Sequence, residues 1–201
     1  MTEKKAELNY QIDLPSKGEW YRYFLEYKYL VDLTFERLQG GEITVISLPL
    51  AFLIRHTLEL GYKTNLLELE KVSDIKANVK YREKGAHKID NLHKEFEIQV
   101  EAIFKKYSVD KEVQKQFKKY NNNLTLLKRQ FHKFDEFSYS FRYPVQNDGI
   151  TPNFERKSDF KMNDKLNFKE LKELYDKSII LLIYTTDVVN EEINNWLQHG
   201  V

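Results

Sequence analysis

Residues 48–70 combine the clearest helical rhythm in the chain with a tight group of ionisable side chains. Leu50, Leu53, Ile54, Thr57, Gly61 and Leu67 recur close to every 3.6 residues, the period of a helix seam. Arg55, Glu59 and Lys63 are each four apart, so on a helix they stack along one face, with His56 at its edge. The remaining positions are mostly apolar, which predicts a helix enclosed on most sides. Charges in such a helix must be paired inside the protein or must line a cleft. The spacing leaves both outcomes open.

The other segments read as further helices. Ser16 with Glu19 three residues on forms a capping-box pattern. Behind it Trp20, Tyr23, Phe24, Tyr27, Leu30, Val31, Thr34, Phe35 and Leu38 follow an i, i+3/i+4 series that stops at Gly40-Gly41. The second helix either extends back over Ile43 to Ile46 or opens at Ser47-Leu48-Pro49, since proline is tolerated in a first turn. Residues 71–88 read as a loop. A third helix is predicted over about 88–107, and a fourth is capped by Asp110, with Asn121-Asn122-Asn123 predicting a kink or break within it. Residues 135–166 read as a long irregular insertion with an extended stretch at 138–145 and a turn at Asn147-Asp148-Gly149. The last helix is predicted over 168–197. The expected fold is all-α, an antiparallel up-and-down bundle of about five helices. Residues 1–15 are expected to be a polar arm, and 16–201 a single domain.

Composition narrows the function classes. Apolar residues make up 41% and charged residues 31%, a globular balance, and the net charge of +1 gives no pull towards polyanions as a whole. The absence of cysteine excludes disulfide scaffolds, thiolate nucleophiles and Cys-based zinc sites. No apolar run is long enough to span a bilayer and the first residues lack a signal-peptide core, so the expected location is cytoplasmic, with no membrane partner. No nucleophile elbow or Gly-rich phosphate loop is present, and no cofactor is expected.

The chemistry-bearing residues fall into one candidate set. Arg55, His56, His87 and Arg142 are the candidate catalytic group, with Glu59, Lys63, Asp90 and Tyr143 as binding residues. Histidine exchanges a proton near neutral pH and arginine stabilises charge developing on a phosphate, which suits an RNA phosphodiester or a nucleotide. The competing reading is an ion-pair network that fixes bundle register. His87, Asp90 and His93 are spaced by three along one helix, but neither familiar helical metal motif is present, and no metal site is assigned.

Three stretches carry a family resemblance. They are Phe52-Leu53-Ile54-Arg55-His56-Thr57-Leu58-Glu59-Leu60 with Lys63, the segment Gly85-Ala86-His87-Lys88-Ile89-Asp90-Asn91-Leu92, and Asp135-Glu136-Phe137-Ser138-Tyr139-Ser140-Phe141-Arg142-Tyr143-Pro144. Together, over about residues 45–145, the chain resembles uncharacterised bacterial proteins of the HEPN superfamily. That superfamily occurs in prokaryotic toxins, defence systems and RNA-processing enzymes. The resemblance implies an all-α bundle, a homodimer, a partner protein from the same locus, and RNA or nucleotide as the ligand. RNA-cleaving members carry an arginine followed four to six residues later by histidine, near the start of a late helix. The match in this chain is Arg82 to His87, ahead of the third helix and not in the last one.

Overall fold

The computed structural model describes residues 19–38, 45–79, 84–135, 138–146, 148–153 and 167–199. Among them the chain forms five α-helices: α1 (Trp20–Arg37), α2 (Ser47–Ser73), α3 (Ile89–Lys106), α4 (Lys111–Phe134) and α5 (Phe168–His199). A 3-10 turn, Lys84–His87, precedes α3. No strand forms among the described residues, only a single antiparallel bridge between Val145 and Pro152. The expected all-α bundle of five helices is the architecture observed, and residues 154–166 of the expected insertion lie outside the described residues.

The bundle is built around α2, which packs against α1, α3 and α5. Its Leu50, Ile54, Leu58 and Leu66 are buried with Phe24 and Val31 of α1, Phe96 and Val100 of α3, Leu124, Leu127 and Phe131 of α4, and Tyr175 and Leu182 of α5. A helix enclosed this way has no solvent stripe of its own. Gly61 makes the closest approach: a β-carbon there would lie 2.9 Å from both Leu182 Cδ1 and Phe24 Cε2.

Contacts along the helices give their directions. Trp20 faces Lys63 while Tyr27 faces His56, so α1 and α2 are antiparallel. His93 meets Thr125 while Asp90 meets Lys128, so α3 and α4 are antiparallel too. The alternation is interrupted once. Glu59 faces His87, Tyr62 faces His93 and Ser73 faces Gln99, so α2 and α3 run in the same direction. The segment after Ser73 makes the return, tied down by Ala77 N–H to Glu70 (2.6 Å) and Asn78 N–H to Glu95 (2.9 Å). Its amides bond to glutamate side chains, a pattern that hydrophobic periodicity does not report.

Local expectations divide in a similar way. Pro49 lies in the first turn of α2, and Asp110 caps α4 by accepting from the Glu112 N–H at 2.7 Å. The Asn121–Asn123 stretch does not break α4, because Asn121 turns inward and donates to Glu97 Oε1 at 2.6 Å. Residues 138–143, expected to be extended, are not. Asp135 Oδ1 accepts from the N–H groups of Tyr139 (2.6 Å) and Ser140 (3.0 Å), which curls the chain into a turn closed by Tyr143 N–H to Tyr139 O. The turn before Thr151 is held by the Asp148 carboxylate. Ser16, Gly40-Gly41, Arg82, Asn147 and the arm 1–15 lie outside the described residues.

Candidate functional site

On one face of α2 the four-residue spacing builds a charged ladder. Glu59 is 2% exposed, and its Oε2 accepts from Arg55 Nη1 at 3.1 Å. Its Oε1 accepts from Lys63 Nζ at 2.7 Å and from His87 Nδ1 at 2.8 Å. Burial alone would raise the Glu59 pKa, but the His87 hydrogen bond and the Lys63 ammonium prevail and hold it at about 2. Glu59 is therefore an anion at neutral pH, and a carboxylate only accepts hydrogen bonds. His87 must carry its proton on Nδ1, which turns Nε2 away from the carboxylate.

Arg55 is fully enclosed. Besides Glu59 it donates from Nε to the Asp135 backbone oxygen at 3.0 Å and from Nη2 to the His87 backbone oxygen at 2.5 Å. Burial lowers its pKa, while Asp135 and Glu59 oppose that shift. Assigned from sequence to the candidate catalytic group, Arg55 is sealed from solvent, with its hydrogen bonds taken up inside the protein. It fastens the 3-10 turn and the end of α4 to α2. Lys63, 3% exposed, is likewise held inside by Glu59, with its ammonium 5.7 Å from the Trp20 ring centroid.

The edge of the ladder reaches the surface through other groups. The His87 side chain is 46% exposed. His56 is half-buried, stacked on Phe52 at 5.4 Å and met edge-on by Tyr27 at 4.7 Å. Burial lowers its pKa, so the neutral ring is favoured. The exposed Arg142 guanidinium lies 5.7 Å from the Phe52 centroid and 5.3 Å from the Tyr143 centroid, and its Nε donates to Ser138 O at 2.8 Å. Tyr139 and Tyr143 pair their rings at 4.6 Å. Phe52 and Glu59 are seven residues apart on α2, about 10 Å along the axis, which separates the Arg142 and His87 ends of this face.

Asp90 does not join the set. It pairs with Lys128 (2.8 Å) and His132 (3.1 Å) between α3 and α4. His93 is buried and bonded to the Tyr62 hydroxyl (2.9 Å) and Thr125 (3.1 Å), and burial lowers its pKa to about 4. His87, Asp90 and His93 thus turn to three different partners, and among the described residues no group of three or more metal-ligating side chains is found. Sequence reasoning missed Phe52, Tyr139 and Asp135. The aromatic pair was signalled only by a Tyr-x3-Tyr spacing that becomes adjacent once the chain turns.

No helix of the described residues is long and apolar enough to cross a membrane. Compared with protein-family models, curated proteins and solved structures, the chain matches none.

Proposed function

We propose that this face binds RNA or a nucleotide, in keeping with the HEPN resemblance, and that His87 moves a proton there. The observation that carries the reading is the dyad of buried, anionic Glu59 and exposed His87. A carboxylate that fixes the tautomer of an imidazole prepares its other nitrogen to act as base and then acid. Arg142 supplies the charge for a phosphate, and the rings of Phe52, Tyr139 and Tyr143 supply stacking planes for a base. Arg55 acts through His87 and Asp135, and His56 orients Phe52.

A second reading rests on the stacking surface alone: a non-catalytic module that holds the same ligand without turnover. Short labelled single-stranded RNA and free nucleotides, assayed for binding by anisotropy and for product release, separate the two. The first reading expects His87→Ala to cut turnover about 100-fold or more with little change in Kd. Arg142→Ala is expected to weaken binding about tenfold, roughly 1.4 kcal/mol. Binding without turnover in the unaltered protein would select the second reading, and no binding at all would remove both. A homodimer belongs to either reading and rests on exposed Tyr21, Leu25 and Tyr29, which repeat every four residues along α1. Sedimentation velocity checks it.

A further inference from the structure

α4 presents one sign of charge to solvent. Lys111, Lys115, Lys118, Arg129 and Lys133 are all exposed, and the steps between Lys118 and Arg129 are filled by exposed Asn122 and Leu126. With 3.6 residues to a turn, these positions share an arc of about 80° and run about 33 Å along the axis, and no carboxylate falls among them. Leu124, Leu127 and Phe131 lie on the opposite side and are buried. Lys128 and His132 point elsewhere, to Asp90 of α3. Glu112, at the edge of the arc, meets Lys115 at 3.4 Å, while Lys111, Lys118 and Arg129 have no ion-pair partner among the described residues.

A merely solvated helix face does not look like this. On α1 and α5 the exposed cations are matched four residues on, Arg22 with Glu26 and Lys172 with Asp176. On α4 the same spacing sets Lys111 beside Lys115 and Arg129 beside Lys133, which weakens a helix. The chain as a whole carries only +1, so this charge is concentrated locally. A row of cations on a straight rod complements a row of anions, and a nucleic-acid strand offers one at every phosphate. The row also runs towards the candidate site. Asp135, just past α4, grips the Tyr139 and Ser140 amides, and Phe131 meets Phe141 edge-on at 6.0 Å, so the turn that carries Arg142 sits against the C-terminal end of α4. We infer that the outward side of α4 is a track for the backbone phosphates of a single strand whose end bases stack at Phe52, Tyr139 and Tyr143. In its choice of RNA this rests on the reading given above for that face.

Anisotropy of the full chain with two labelled RNAs, a trinucleotide and a single strand of about 20 nucleotides, over a series of salt concentrations tests the track. The long strand is expected to bind more tightly and to lose affinity more steeply with salt. The variant Lys111→Gln/Lys115→Gln/Lys118→Gln/Arg129→Gln is expected to weaken its Kd about tenfold or more at about 0.1 M salt and to reduce the slope of log Kd on log salt by about 3, one step of about 0.7 for each charge removed. Trinucleotide binding is expected to be unchanged. Glu112→Gln, which frees Lys115, is expected to tighten binding of the long strand several-fold. Equal affinity and slope in the fourfold variant would overturn the track while leaving the reading of the His87 face intact. Displacement of the strand by polyglutamate of matched charge as readily as by unlabelled RNA would overturn it too. Track-dependent binding of the long strand with no binding of the trinucleotide would instead support the track and sink the His87 face as a ligand site.

Discussion

Glu59 is the residue on which the interior charges converge. It is bonded to Arg55, Lys63 and His87 at once, and the first two are almost fully enclosed. Glu59→Gln would keep the shape and remove the counter-charge of two buried cations. Leaving buried charge uncompensated costs about 3–5 kcal/mol. A urea midpoint lowered to that extent, with an unchanged slope, is the expected result. Arg142→Ala is the contrast, since its guanidinium is exposed and bonded mainly to its own turn. Its stability is expected to change by less than about 1 kcal/mol, checked in the same titration. The ladder was legible because i, i+4 spacing on an apolar helix leaves few alternatives. Asp135 was not, since it is 80 residues from Arg55 and its backbone oxygen does the accepting. Nor did spacing distinguish enclosed Arg55 from exposed Arg142.

At the scale of single helices, two changes test the packing and the ends. Gly61→Ala gains about 1 kcal/mol of helix propensity. It also drives a methyl group to 2.9 Å from Phe24 and Leu182, and overpacking of that kind costs about 1–3 kcal/mol. A net loss is expected, and Gly61→Leu should prevent α1 and α5 from closing on α2, seen as loss of the cooperative thermal transition. Asp110→Ala removes the cap of α4 and is expected to cost about 1 kcal/mol, read as a lowered melting temperature. Helix existence and most ends were legible from periodicity and capping residues. The continuity of α4 was not, because local asparagine preference is overridden by a partner on α3, Glu97. The turn at 138–143 escaped notice for a related reason: hydrogen bonds to a side-chain carboxylate four and five residues back, that of Asp135, and not the alternation of its residues, set its shape.

For the whole molecule, two buried groups set the response to acid. His93 has a pKa of about 4 against an ordinary 6.5, because burial penalises its charged form. Its contribution to stability is complete above pH 6.5 and is lost as pH falls through 4. Glu59, at about 2 against 4.5, contributes fully above pH 4.5, and that contribution is lost as pH falls through 2. Urea midpoints are therefore expected to decline from pH 6.5 to 4 through His93 and to go on declining from pH 4.5 to 2 through Glu59. His93→Gln is expected to flatten the upper part of that decline. The parallel pairing of α2 and α3 was the part of the topology least legible in sequence, since nothing in the residues after Ser73 states which way the chain turns.

Arg55 reaches two backbone carbonyls at once, those of His87 and Asp135. The segments that present His87 and Arg142 are consequently moored to one interior anchor, and Asp135 in turn grips the amides of Tyr139 and Ser140. Those two amide protons, though in a surface loop, are expected to exchange with solvent as slowly as helical ones. A molecule arriving at such a face finds its contours already set and loses little freedom in ordering them. Recognition there would be quick on encounter and intolerant of misshapen guests.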